Sequence, residues 1–297
     1  MASHYFQISS DTSIHARITH PANKNSEKPL LVFLHYYGGT SSTWYKLTSP
    51  ESSTSLSVLY PTISIDLRGW GQSTGPTTDE GSAYSVSSMA SDVAIVLEML
   101  STTESTKGLL EHGLVVVGHS MGAKTALGTI THISRNLIAA FKGLVLVAPA
   151  APASLDLPLE MKAQQQVAYN SDESIRWTVE NVLANAERLS AFDKDLIVRD
   201  SLSGNELAKK AWPSYGMVED ICPALKDTLV SMQTGLRASV IFGEFDIVEP
   251  KERVEAEVGH FLTENGVQVV LKKADGVKHL IPLEAPTVIY DEVCRVW

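Results

Sequence analysis

The sequence predicts an α/β protein built on a doubly wound, mostly parallel sheet, and three observations lead there. Six apolar runs, 30–34, 60–65, 114–117, 144–147, 238–242 and 267–271, are near-continuous rather than alternating. Strands buried on both faces of a parallel sheet read that way. Helix-competent stretches separate them, for example Val86, Met89, Val93, Val96, Leu97 and Leu100 at spacings of three and four, and repeated strand–helix units wind helices onto both faces. One interval breaks the rhythm: the 88 residues 150–237 hold no strand-like run, far more chain than a crossover needs.

Taken in order, Tyr5–Ile8 and Ile14–Ile18 alternate around Ser10-Asp11-Thr12-Ser13, which reads as a hairpin. Lys24–Lys28 is a polar surface loop. The strand 30–34 runs into His35-Tyr36-Tyr37-Gly38-Gly39, and 60–65 into Asp66-Leu67-Arg68-Gly69-Trp70-Gly71-Gln72-Ser73. After the helix over 86–100 comes the strand 114–117, then a helix-competent stretch from Ala123 to Thr131, then the strand 144–147. Within the long interval, 159–168, 173–189 and 205–212 look helical. The strands 238–242 and 267–271 complete the sheet.

Chemistry concentrates where these strands end. The run 114–117 leads directly into Gly118-His119-Ser120-Met121-Gly122. Gly-x-Ser-x-Gly between a buried strand and a helix describes a sharp turn that thrusts the serine hydroxyl out at the top of a sheet. Glycines flank the serine because a strained backbone there leaves no room for Cβ atoms. The helix start points free N–H groups at whatever the serine attacks. A serine nucleophile needs a base and an orienting acid. The strand 238–242 ends in Gly243-Glu244-Phe245-Asp246, and the loop after 267–271 carries His279. The order Ser120, Asp246, His279 differs from the orders in chymotrypsin-like and subtilisin-like folds.

On these residues the chain resembles the α/β-hydrolases, a group of esterases, lactonases, epoxide hydrolases, haloalkane dehalogenases and cofactor-free haloperoxidases. Further segments carry the likeness from about Tyr5 to Trp297. His35-Tyr36-Tyr37-Gly38-Gly39 is similar to the family's His-Gly-x-x-Gly, and 66–73 to its Asp-x-Arg-Gly-x-Gly-x-Ser turn. Asp246 with Pro250, and His279 with Glu284 and Pro286, fit its acid and histidine segments. The resemblance implies an α/β-hydrolase fold: a mostly parallel, doubly wound eight-stranded sheet with an inserted helical cap. It implies a core domain from 1–151 and 215–297, a cap (lid) over 152–214, and a Ser120–His279–Asp246 triad. The oxyanion hole falls on the N–H groups of Tyr37 and Met121. Asp275, four residues before His279, competes as the acid, but Asp246 follows a strand and matches the family's pattern. A serine at 120 disfavours epoxide hydrolysis and dehalogenation, because those members use an aspartate there.

Departures from the pattern are few. Tyr36 stands where the family has Gly, Lys278 where Gly commonly precedes the histidine, and Ala123 where haloperoxidases usually carry another Gly. Beneath the cap an apolar pocket is expected; Tyr36, Trp177 and Trp212 are its candidate substrate-binding residues, with Met161, Tyr215 and Met217 as further large side chains. For any one of these large side chains, packing the cap onto the sheet is the preferred explanation. His119 is read as packing within the elbow, and Asp66 and Arg68 as holding their turn together.

Composition narrows the partners. Of 297 residues, 44% are apolar and 20% charged, as in a globular enzyme. The formal net charge of -10 makes nucleic acid and anionic membrane surfaces unexpected partners. Two cysteines, Cys222 and Cys294, exclude a disulfide framework and read as free thiols. No segment reads as a signal peptide or a membrane span, so a cytoplasmic location is the expectation. The reading is a serine hydrolase for a small, fairly apolar carboxylic ester or lactone, working as a monomer or homodimer with no metal and no cofactor. Its alternatives are a cofactor-free haloperoxidase or perhydrolase using the same triad, a lyase of the hydroxynitrile type, and a hydrolase-like small-molecule receptor.

Overall fold

The computed structural model describes residues 2–21, 26–232 and 235–297. Positions 24 and 25 of the polar loop expected at Lys24–Lys28 lie outside the described residues. One sheet of eight strands runs in the order β1-β2-β4-β3-β5-β6-β7-β8. The expected hairpin is β1 (Ala2–Gln7) and β2 (Ser13–Thr19), antiparallel to each other, with β2 antiparallel to β4 (Thr62–Ile65). All other pairings, through β3 (Leu30–Leu34), β5 (Leu114–His119), β6 (Phe141–Val147), β7 (Arg237–Gly243) and β8 (Gln268–Ala274), are parallel.

Residues of one strand alternate between two apolar clusters, as the pleat requires. Leu30, Val32 and Leu34 join the cluster covered by α1 (Val86–Thr102) and α2 (Met121–Ile130). Leu31 and Phe33 join the other cluster, on the opposite face of the sheet. The short α3 (Arg135–Ala140) leads into β6. Double burial holds for the inner strands but not for β8, the sheet's edge, where Val270 and Leu271 are exposed. The apolar run at 267–271 therefore does not mark a strand covered on both faces.

Between β6 and β7 the described chain is helical or irregular: α4 (Leu159–Val167), α5 (Asp172–Thr178), α6 (Ala191–Leu202), α7 (Glu206–Ala211) and α8 (Cys222–Met232). Two expectations need correction. The single helix expected over 173–189 stops at Thr178, passes through a wide turn at Val179–Leu183, and reaches extended backbone at Ala184. There the Leu183 carbonyl accepts the N–H groups of His279 and Leu280, at 2.9 and 3.0 Å, instead of continuing a helix. The second is α6, absent from the sequence reading, whose start is a reciprocal cap between Ser190 and Asp193. The C-terminal helix α9 (Pro286–Val296) closes the second cluster with Ile289 and Val293. Cys222 and Cys294 are free thiols, both half-buried. Among the described residues no helix is long and apolar enough to cross a membrane.

Candidate active site

Four parallel strands deliver the predicted residues to one end of the sheet, where open α/β sheets place their ligand sites. At the end of β5 the chain reverses sharply: Ser120 has φ 55° and ψ −116°. A non-glycine residue at positive φ carries about 1–3 kcal/mol of backbone strain, which the surroundings must hold. The flanking glycines make the turn possible. A Cβ at Gly118 would lie 2.5 Å from the Gly122 carbonyl oxygen, and one at Gly122 would strike the Leu34 and His35 carbonyl oxygens. The Ser120 N–H donates to the Val147 carbonyl at 3.0 Å, tying the turn to β6, and α2 starts at the next residue.

After β7 and β8 come Asp246 and His279. The His279 Nδ1–H donates to Asp246 Oδ2 at 2.8 Å, while Asp246 Oδ1 accepts the N–H groups of Val248 and Glu249 at 2.8 and 3.0 Å. The carboxylate is thereby held on both oxygens. Burial pushes the His279 pKa down, but the charge and hydrogen bond of Asp246, aided by Glu249 and Glu284, outweigh it, so the pKa is raised above 6.5. Asp275 lies apart, exposed and paired with Lys273 at 2.7 Å.

His119 joins the two halves. Its ring centroid is 5.1 Å from that of His279, and its Nε2–H donates to the His279 carbonyl at 2.9 Å. Burial, then the His279 charge, holds its pKa well below 6.5, so it stays neutral. Ser120 is the next residue along the chain from His119. Among the described residues no hydrogen bond joins Ser120 and His279. Neither Ser120 Oγ nor His279 Nε2 is a sealed, unpartnered atom. Such contacts are often long before substrate binds.

Opposite the serine lies the loop after β3. His35 Nδ1–H donates to the Tyr36 carbonyl at 2.8 Å and its Nε2 accepts the Leu67 N–H at 2.9 Å. Burial lowers its pKa to about 4, so this neutral, doubly bonded ring pins the loop to the turn at 66–71. The Tyr37 side chain points away into an aromatic cluster with Trp70, Tyr169 and Trp212, and its hydroxyl donates to the Lys209 carbonyl at 2.5 Å. Among the described residues the backbone N–H groups of Tyr37 and Met121 donate to no protein acceptor.

A family model described as the alpha/beta hydrolase family matches residues 31–288. The chain belongs to the alpha/beta hydrolase family. No curated protein sequence matches it significantly. Among solved structures it is similar to a bromoperoxidase from Bacillus anthracis, with a TM-score of 0.74, 14% identity and 99% of each chain covered. It is similar to an enol-lactonase from Burkholderia xenovorans, with a TM-score of 0.71, 17% identity and 99% of each chain covered. A carboxylesterase from Bacillus subtilis gives 0.69 at 17% identity, covering 100% of this chain and 92% of that one. At such identities the likeness is one of fold.

In this alpha/beta hydrolase, Ser120 lines a cavity of about 340 Å³. The segment between β6 and β7 supplies one wall, including Leu155, Met161, Gln164, Gln165, Trp212 and Met217. The loop after β7 supplies the other, from Ile247 to Pro250 with Arg253. Trp212, one of the candidate substrate-binding residues, lines this cavity. Tyr36 does not line this cavity; it is 2% exposed and packs its ring against His119. Trp177 lines a neighbouring hollow and is half exposed. Tyr215 is also elsewhere, donating to Asp79 at 2.7 Å.

Two charged wall residues escaped the sequence reading. Glu249 is buried, which raises its pKa to about 7 against the opposing charge of Arg253, whose Nη2 donates to it at 2.6 Å. Their spacing of four at a helix start signals an ion pair, but nothing local signals that it faces a cavity. Asp66 and Arg68 hold their turn by separate bonds: Asp66 accepts from His15, Ser41 and Gln72, and Arg68 forks onto Asp92.

Proposed function

We propose that this protein is a serine hydrolase that cleaves a carboxylic ester or lactone of a small, fairly apolar molecule. One observation carries the reading. A serine on a strained strand-to-helix turn lines a mostly apolar cavity, and the residue before it packs on a histidine whose Nδ1–H is held by a fixed carboxylate. In the mechanism, Ser120 Oγ attacks the substrate carbonyl carbon as His279 Nε2 takes its proton. Asp246 holds the tautomer and steadies the imidazolium. The N–H groups of Tyr37 and Met121 receive the oxyanion, each worth about 3 kcal/mol. The carbon–oxygen bond then breaks, and the alkoxide leaves with the proton from His279. Water, deprotonated by His279, attacks the acyl-enzyme and releases the acid and Ser120.

Residues 152–214 act in this account as a cap that excludes water and shapes the cavity. Support comes from the Leu183 carbonyl bound to the His279 loop, and from Glu284 Oε1, which accepts the Asn185 N–H at 2.8 Å. Esters and lactones of graded size, assayed with wild type and Ser120→Ala, test the reading. Turnover by wild type and its loss in Ser120→Ala are expected. Binding without turnover would favour a receptor, and activity only with hydrogen peroxide would favour a perhydrolase.

A further inference from the structure

The cavity beside Ser120 does not stand alone. A second hollow, of about 360 Å³, shares three wall residues with it: Gln164 on α4, Ala168 at its end, and Thr178 on α5. Two hollows with three lining residues in common adjoin, and those residues mark where α4 and α5 stand between them. The second hollow is lined by Val167 and Trp177, which are 53% and 50% exposed. Met161, also 50% exposed, stands on the same helix in the wall of the Ser120 cavity. Single exposed apolar residues are ordinary on a protein surface. Here three large ones line two adjoining hollows, one of which holds a buried serine, and an aromatic face is a low-entropy platform for an apolar chain.

We propose that the substrate carries an extended apolar arm, a long alkyl or aryl-tipped chain, which leaves the Ser120 cavity between Gln164 and Thr178 and lies on Trp177. The inference rests on the serine hydrolase reading and adds the substrate's shape to it. Glu173, also lining the second hollow, repels a carboxylate, so the arm does not end in one. A small compact ester fills only the inner cavity and gains nothing from Trp177.

Two ester series separate this inference from the reading beneath it. One lengthens the acyl chain from acetyl to decanoyl with a constant alcohol; the other lengthens the alcohol of an acetate ester. For wild type, kcat/KM rises with length in one series, which assigns the arm to that side of the ester. Trp177→Ala lowers the long-to-short ratio of kcat/KM by about tenfold, equivalent to 1.4 kcal/mol, mainly through KM, and Trp177→Phe recovers most of it. Val167→Ser on the facing wall moves the ratio the same way. A ratio unchanged in both variants, or no preference for length in either series, overturns the proposal. A wild-type protein that hydrolyses neither acetate nor decanoate overturns the hydrolase reading instead.

Discussion

Two helices of nearly equal length serve the same cavity, α2 by starting just after Ser120 and α4 by lining it, and they differ in almost everything else. All ten residues of α2, which starts beside Ser120, are buried; of the nine in α4, none is. Even Lys124 of α2 is 1% exposed, its Nζ donating to the Ala153 and Met217 carbonyls at 3.1 and 3.2 Å, with burial lowering its pKa to about 8. On α4, Leu159 is 83% exposed. The difference teaches where each task can be placed. Reacting atoms must be held to fractions of an ångström, which a close-packed interior provides. A wall that selects substrates tolerates looser packing, and its residues can change without disturbing the sheet.

The largest effects belong to the buried side. Asp246→Asn is expected to lower kcat about 10⁴-fold through the wrong histidine tautomer with the melting temperature little changed. Near-normal turnover in this variant together with an inactive Asp275→Asn would assign the acid to the other carboxylate. Gly122→Val, which drives side-chain atoms into the Leu34 and His35 carbonyls, is expected to destabilise by more than about 4 kcal/mol. Leu159→Ser on α4 is expected to stay within about 0.5 kcal/mol. Urea unfolding of both tests the contrast directly, and similar costs would dissolve it.

Between these extremes lies the proposed cap. Replacing 152–214 by a short Gly/Ser linker is expected to leave a folded sheet that hydrolyses small activated esters and no longer distinguishes bulky ones. Circular dichroism with rates on a bulky and a small ester checks both halves. An unfolded product would make the segment part of the core.

The smallest effect is one of pH. His279 must be neutral to accept the Ser120 proton, so activity falls as pH drops through its pKa. Because Asp246, Glu249 and Glu284 raise that pKa, the acid limb of kcat/KM should have its midpoint above 6.5, and Glu249→Gln should move it downward. A midpoint below 6.5 in the wild type would contradict the electrostatics.

What could be read from the sequence follows the same division. Inner strands announce themselves because burial on both faces leaves an uninterrupted apolar run, and the turn at Ser120 because two Cβ atoms do not fit. The order Ser120, Asp246, His279 was legible with them. Strand order is not encoded locally, so β8 resembled an inner strand. In α6 the apolar residues Phe192, Leu196 and Ile197 are interleaved with Asp193, Lys194, Asp195, Arg199 and Asp200. Its stripe is blurred, and the Ser190–Asp193 cap was the one local signal. The break at Val179–Leu183 depends on bonds to the His279 loop, nearly a hundred residues away. Side-chain direction is set by such packing too, which is why Trp212 and Trp177, alike in the sequence, face different hollows.

The central claim is that Ser120 is a nucleophile activated by His279. A fluorophosphonate that reacts only with activated serines, followed by peptide mass spectrometry, tests it most directly. One label per chain is expected, on the peptide containing Ser120, with near-complete loss of labelling in His279→Ala. Label on another residue, or labelling of Ser120 undiminished in His279→Ala, would contradict it.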